Sequence, residues 1–296
     1  MGEVCRFLYV TDLHGDRRAY ARLPELCKQQ GVSILVNGGD LLPKHGDMRQ
    51  AQGEFLRHDM PALLDACASA GIRYYALFGN DDLRAWHDEW LALVDSCAHA
   101  FDLERRWLEL DGGYFIRGNS WVPDYPFGLK DWCLRDRPDA TPVPTRRSIT
   151  TSPAGIDVIA DPVAFFAARP TMQEHLETLV DPALPMDRCV LVTHAPPHGL
   201  GLGLLHDHTD VGSRGVRAFI ERHQPLLTLS GHIHESPEVS RSWGGNAHHT
   251  ARSGRTTCHQ PGQELPYRLS VSVIEIDDCD GTPDVRITWN QLRLNA

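Results

Sequence analysis

Short polar patches follow apolar, strand-like runs at five places in this chain. They lie in the segments FLYVTDLHG, ILVNGGD, YYALFGND, CVLVTHAPP and LLTLSGHIH. Open α/β sheets bind ligands at the carboxyl ends of their strands, so polar side chains that begin where each run stops are expected to meet at one edge. In chain order they are Asp12, His14, Asp40, Asn80, His194, His232 and His234.

The chemistry of these side chains favours a divalent metal site. Carboxylates, imidazoles and one amide, without cysteine, suit Mn, Fe, Mg or Zn better than they suit a thiolate-type zinc site. Single patches are weak evidence, because Asp12 and His14 after a strand could form a capped turn and residues 38–40 a tight turn. His232 and His234 are more specific, since alternate residues of an extended segment share a face, although two surface histidines are the alternative. Together the patches predict metal-assisted hydrolysis.

In order and residue type the patches resemble the motifs D-x-H, G-D, G-N-H-[DE], H and G-H-x-H of the calcineurin-like metallophosphoesterase superfamily. The resemblance runs from about Phe7 to His234, and Pro-Gly at 261–262 stands where members often have a turn before the last strands. THAPPHG and GHIHES are similar to a bacterial branch of the family. The resemblance implies a four-layer αββα sandwich and two divalent ions, with Mn or Fe expected before Zn or Mg.

The same resemblance implies three ligands for each ion and one shared carboxylate. The ligands are Asp12, His14 and His234 for the first ion and Asn80, His194 and His232 for the second. Asp40 bridges the ions, since a carboxylate has two oxygens to offer whereas an amide offers one neutral carbonyl. Asp82 is expected to support the ligands from behind by hydrogen bonding.

The chain departs from the family's third motif at Asp81. The family usually has a histidine there, thought to orient the phosphate or to protonate the leaving group, and an ionised carboxylate cannot donate that proton. Three alternatives stay open for the catalytic acid. They are a protonated Asp81 in a crowded anionic site, a substitute donor at His198 or His208, and a substrate whose leaving group needs no acid.

The order of the runs predicts a largely parallel sheet followed by a second one. Up to His234, strand-like runs alternate with helical patterns, which favours right-handed crossovers. The runs lie at about 5–10, 33–37, 73–78, 188–193 and 226–230, and the helical patterns at about 17–29, 55–70, 84–99 and 213–223. Beyond His234, three β-like segments predict a more antiparallel sheet packed on the first. They lie near 255–258, 268–277 and 284–289.

Residues 103–187 do not follow this alternation. They include the Pro-, Ser- and Thr-rich stretch RPDATPVPTRRSITTSPAG and lie between the third and fourth metal motifs, so their ends are anchored near the site. We predict a cap or lid inserted into a single domain of residues 1–296, with a decorative surface loop as the alternative. The candidates for substrate contact are Trp121, Tyr125, Phe127, Lys130, Trp132 and Arg135, and a small satellite core is the alternative, favoured for the tryptophans.

These observations favour a binuclear metal-dependent phosphoesterase that hydrolyses a small phosphomonoester or phosphodiester through a hydroxide shared by the ions. Two alternatives are open: a metal-binding scaffold or partner-recognition protein of the same fold with little catalysis, and a protein phosphoserine/threonine phosphatase. The formal net charge of −10 argues against a general nucleic-acid-binding surface. The oligomeric state is not predicted.

The chain has the composition expected of a cytoplasmic protein. Eight cysteines without a C-x-x-C pair predict reduced, mostly buried thiols. No uncharged apolar run approaches the length of a membrane span, and the first residues lack a signal-peptide pattern.

Overall fold

The computed structural model describes residues 4–239, 248–263, 265–279 and 281–294. Two six-stranded sheets pack face to face, and helices cover the outer face of each. This is the four-layer αββα sandwich that the sequence predicts. Within the described part of the chain, no helix is both long and apolar enough to cross a membrane.

The first sheet contains β1 to β4 and the last two strands of the chain. They are β1 Cys5–Val10, β2 Ile34–Asn37, β3 Arg73–Ala76, β4 Ala100–Asp102, β15 Arg268–Cys279 and β16 Thr282–Arg293. Their order is β16-β15-β1-β2-β3-β4, in which β1 to β4 are parallel and β15 is antiparallel to both neighbours. Three helices cover this sheet: α1 Arg17–Gln30, α2 Met48–Ser69 and α3 His87–Asp95.

The second sheet is built from the middle of the chain. Its strands are β5 Leu108–Leu110, β6 Tyr114–Asn119, β11 Cys189–Thr193, β12 Leu227–Leu229, β13 Thr250–Ser253 and β14 Thr256–His259. Their order is β13-β14-β12-β11-β6-β5, with four parallel central strands and an antiparallel strand at each edge. Helices α5 Met172–Glu177 and α6 Arg214–His223 pack on its outer face.

Alternate residues of the strands face different layers. In β1, Phe7 and Tyr9 lie in the apolar core between the sheets, whereas Leu8 and Val10 pack against the helices. This two-residue period buries β1 on both sides, and such strands are near-continuous apolar runs in the sequence.

The predicted sheet membership is wrong in one respect. The C-terminal strands β15 and β16 do not form the second sheet but extend the first beside β1, and only β13 and β14 join the second. Conversely, β11 and β12 were expected in the first, largely parallel sheet but belong to the second. Periodicity indicates that a segment is a strand, but which neighbour it pairs with depends on contacts distant in the chain.

The predicted insertion of 103–187 begins too early. Its strands β5 and β6 are part of the second sheet, where β6 is the parallel neighbour of β11. The rest forms small elements outside the main sheets: β7 Val122–Pro123, β8 Cys133–Leu134, β9 Ile149–Ser152, β10 Gly155–Val158, α4 Pro162–Ala167 and then α5. A lid role for this part stays a prediction, as does the single domain of residues 1–296.

Candidate metal centre

The predicted ligands lie at the carboxyl ends of strands in both sheets. Those of the first sheet follow β1, β2 and β3, and those of the second follow β11 and β12. They are Asp12, His14, Asp40 and Asn80 on one side and His194, His232 and His234 on the other. Because the sheets pack face to face, the two sets meet at their common edge.

Asp12, His14, Asp40 and His234 form a tight group, each with a ligand atom within 4.8 Å of those of the others. His14 Nε2 lies 3.1 Å from His234 Nε2 and 3.7 Å from Asp40 Oδ2. His234 Nε2 lies 3.4 Å from Asp12 Oδ1. Two imidazole nitrogens facing one another beside two carboxylates fit a divalent cation, which would satisfy all four donors at once.

His194 connects this group to the remaining predicted ligands. Its Nε2 lies 3.1 Å from Asn80 Oδ1 and 3.5 Å from Asp40 Oδ1. Its Nδ1 lies 2.8 Å from the Gly38 carbonyl, a contact that leaves Nε2 for a metal. The His232 ring is next to it, with centroids 5.3 Å apart. Asp40 therefore lies between the two sets, although the division of ligands between two ions stays a prediction.

Four of these residues have a left-handed backbone, with φ of 56° at Asp12, 44° at His14, 52° at Asp40 and 68° at His232. Residues other than glycine rarely adopt this conformation, which costs on the order of 1–3 kcal/mol each. Backbone hydrogen bonds stabilise it, because Asp12 N donates to the Gly39 carbonyl and His14 N to the Asp40 carbonyl, both at 2.9 Å. The sequence pattern contains no sign of this strain.

Two glycines let the ligand loops approach closely. A Cβ on Gly79 would overlap Asp40 Oδ1, and a Cβ on Gly231 would overlap Asp12 Oδ2 and the Thr11 hydroxyl. The glycines of the GND and GHIH patches are therefore required by the packing of the ligands themselves.

Asp82 holds two ligand-bearing loops together. It is fully buried and accepts the backbone N–H groups of Leu41 at 2.9 Å, Leu42 at 2.7 Å and Gly79 at 2.8 Å. Burial, followed by the charge of Asp40, raises the pKa of Asp82 well above its usual range, and the three N–H donors oppose that rise. Asp82 thus joins the loops that carry Asp40 and Asn80, and its predicted support of bound metal ligands stays a prediction.

Burial and neighbouring charges set the protonation of the imidazoles. Burial lowers the pKa of both His14 and His232 to about 3; the charge of Asp40 opposes this fall, and positively charged neighbours add to it. Both rings are therefore neutral near pH 7, which is the form that binds metals. For His194, burial alone would lower the pKa, but Asp40 and Asp12 raise it to about 10. An ion that binds His194 must displace this proton.

Asp81 and Lys44 lie beside the tight group. Asp81 N donates to Asp40 Oδ1 at 2.9 Å, and Asp81 Oδ1 accepts from Asn80 Nδ2 at 3.0 Å. Lys44 Nζ lies 3.0 Å from His14 Nε2 and 3.9 Å from Asp81 Oδ2. Burial, and then the charge of Asp40, raises the pKa of Asp81 to about 7. Sequence reasoning missed Lys44, because no motif distinguishes it from a surface lysine.

The two predicted substitute acids make other contacts. His198 Nδ1 lies 3.5 Å from Asp210 Oδ1, and His208 has a left-handed φ of 67°. Neither observation tests a contact with the metal group, so both catalytic roles stay predictions.

Lys130 is buried in an ion pair, and its contact with substrate stays a prediction. Its ammonium is buried and lies 2.6 Å from Asp124 Oδ1 and 2.7 Å from the Tyr125 carbonyl, so this buried ion pair stabilises the inserted segment. Arg135 donates to the Pro138 carbonyl at 3.1 Å, and its contact with substrate stays a prediction.

Tyr125 connects the inserted segment to the metal group. Its ring stacks on His232, with centroids 5.0 Å apart and an interplanar angle of 26°. Its hydroxyl donates to the Val211 carbonyl at 2.5 Å. The stack restricts the orientation of the His232 imidazole.

Replacing Tyr125 with alanine is expected to weaken binding of the second metal ion by about tenfold or more, the usual cost of losing a group that orients a ligand. Tyr125→Phe keeps the ring and should retain most of the affinity. Competition with a chelator measures both ions, and Tyr267→Ala, at a tyrosine that is 78% exposed, is the matched control. Unchanged affinity for the second ion in Tyr125→Ala would contradict this role.

Comparisons with known proteins agree with this geometry. A family model described as calcineurin-like phosphoesterase matches residues 5–236. The protein TT1561 of Thermus thermophilus has a similar solved structure, with a TM-score of 0.53 and 17% identity over 90% of this chain and 93% of that one. A dimetal phosphatase from Danio rerio has a TM-score of 0.52 and 10% identity over 99% and 100% of the two chains. Identities this low show the fold alone. No curated protein matches the sequence.

Proposed function

We propose, because this chain belongs to the calcineurin-like phosphoesterase family, that it hydrolyses a small phosphomonoester or phosphodiester with the help of two divalent metal ions. The observation that carries the proposal is the convergence of carboxylate, imidazole and amide donors from both sheets on one edge. Mn and Fe suit this donor set, and Zn and Mg are also compatible with it.

The ligand assignment forms part of the proposal. One ion would be held by Asp12, His14 and His234, the other by Asn80, His194 and His232, and Asp40 would contact both. When bound, such ions polarise a phosphoester and activate a water molecule for attack.

The chain's own charged residues would position the phosphoester. Lys44 lies closest to the tight group among the described lysines, and an imidazole nitrogen that binds a metal has no second lone pair for it. Its ammonium would therefore be available to a phosphoryl oxygen. Asp81 lies on the same side with the opposite charge, so it would oppose an anionic substrate where the family usually has a histidine.

Asp81 is also the observation that favours a second candidate function. Where Asp81 is ionised it cannot protonate a leaving group, and the same metal site would then suit a scaffold or partner-recognition protein with little catalysis. The ligand set itself is complete, which favours hydrolysis.

We expect the Mn-loaded protein to hydrolyse bis(4-nitrophenyl) phosphate or 4-nitrophenyl phosphate, to lose that activity with a chelator, and to regain it when Mn is returned. The reason is that a divalent ion held by these donors lowers the pKa of a bound water molecule towards neutrality. Absorbance of released 4-nitrophenolate measures both substrates. Two bound ions without hydrolysis of either ester would support the scaffold instead.

A further inference from the structure

Two arginines and two tryptophans form a cluster at the same edge of the sandwich as the metal ligands. They are Arg84, Arg169, Trp121 and Trp132. Arg84 follows the loop of β3 that carries Asn80, and Trp121 follows β6, the neighbour of β11. The cluster therefore includes residues of the loops that follow β3 and β6 at this edge.

Hydrogen bonds tie this cluster to the ligand loops. Trp132 Nε1 donates to the Asp82 carbonyl at 2.7 Å. On the other sheet, His194 N donates at 3.0 Å to the carbonyl of Asn119, two residues before Trp121. A molecule bound at the metal group could therefore extend along the edge to the cluster.

The Arg84 guanidinium lies over two aromatic rings, and the carboxylates of Glu104 and Asp131 also interact with its charge. Its Cζ lies 5.5 Å from the Trp121 ring centroid and 5.4 Å from that of Trp132. Its backbone N–H donates to Asp131 at 2.8 Å, which fixes the start of the side chain. Among the described residues, none makes an ion pair or side-chain hydrogen bond with the guanidinium, and Arg84 is exposed. Its five N–H donors are thus available in a fixed orientation.

Arg169 adds a second positive charge next to the first. Its Cζ lies 3.5 Å from the centroid of the Phe165 ring, and it donates to the Phe165 carbonyl at 2.8 Å. Burial, and then the positive charge of Arg84, lowers the pKa of Arg169. An anion between the two guanidinium groups would offset this effect of like charge.

We propose that Arg84 and Arg169, with Trp121 behind Arg84, bind a second anionic group of the substrate, so that the enzyme favours phosphoesters that also carry another phosphate. This inference rests on the proposed function, because the first phosphate occupies the metal group. The inserted segment, which contributes Trp121 and Arg169, would then select substrates by their charge.

The test compares alkane bisphosphonates of two to five carbons with the monophosphonate of each length. Calorimetry measures their binding to the Mn-loaded native protein and to Arg84→Gln, Arg84→Lys and Arg22→Gln. Arg22 is an exposed arginine of α1 and serves as the matched control. Thermal unfolding of every variant shows that each is folded.

We expect the native protein to bind at least one bisphosphonate about tenfold or more tightly than its monophosphonate, the effect of a charge-assisted hydrogen bond. Arg84→Gln should remove this preference with monophosphonate affinity unchanged, Arg84→Lys should keep part of it, and Arg22→Gln should keep all of it. An equal preference in native protein and Arg84→Gln would overturn the inference and leave the proposed function intact. Failure of the monophosphonates to bind as well would overturn both.

Discussion

Asp40→Ala is expected to lower phosphoesterase activity by about a hundredfold or more and to reduce binding of both metal ions, since this carboxylate lies between the two sets of ligands. Its oxygens lie 3.7 Å from His14 Nε2 and 3.5 Å from His194 Nε2. One of them also accepts the Asp81 N–H, so the GND loop loses a support too. Elemental analysis of metal per chain, measured with turnover of an aryl phosphate, checks the result.

Two further variants make this experiment specific. His234→Ala removes a ligand that lies beside Asp12 and His14, so it should reduce occupancy of the first ion and leave most of the second. Asp139→Ala changes an exposed carboxylate paired with Arg137 and should change neither ion. Full metal occupancy with intact activity in Asp40→Ala would rule out the bridging assignment.

Asp81→His is expected to improve hydrolysis of alkyl phosphates by about tenfold or more, within the range that general acid catalysis supplies. Activated aryl esters should gain little, because their leaving groups are stable as anions without a proton. Asp81 Oδ2 lies 4.0 Å from His14 Nδ1 and 3.9 Å from Lys44 Nζ. A histidine at this position would therefore lie beside an ester bound at the metal group, where it could protonate an alkyl leaving group. Rates for a series of leaving groups, measured on both proteins, give the dependence on leaving-group pKa.

Asp81→Asn separates the two effects of this substitution. It removes the carboxylate charge and adds no acid, so any gain that it shares with Asp81→His comes from reduced repulsion of the phosphate. A shallow dependence on leaving-group pKa in the native enzyme, unchanged in Asp81→His, would show that another residue already donates the proton.

Much of the fold and the site was predictable because polar residues interrupt apolar runs at recognisable places. Asp12, Asp40 and His194 each follow a buried strand, and parallel strands bring their carboxyl ends to one edge. Membership of the sheets was not predictable in the same way. The runs of β11 and β15 both predict strands, yet β15 pairs with β1 and β11 with β6, and such pairings depend on the packing of the whole chain.

The sequence by itself determined the family, the layered α/β class and the chemical identity of the donors, since these follow from local patterns of residue type and spacing. Tertiary structure alone decided that Lys44 contacts His14, that Tyr125 stacks on His232, and that Lys130 is buried in an ion pair. Lys44 and His14 are 30 residues apart in the chain, and Tyr125 and His232 are 107 apart, whereas Lys130 pairs at short range. Each contact depends on burial and on the direction of the side chain. No periodicity along the chain encodes such contacts, because they form only when the loops and the inserted segment pack in the folded chain.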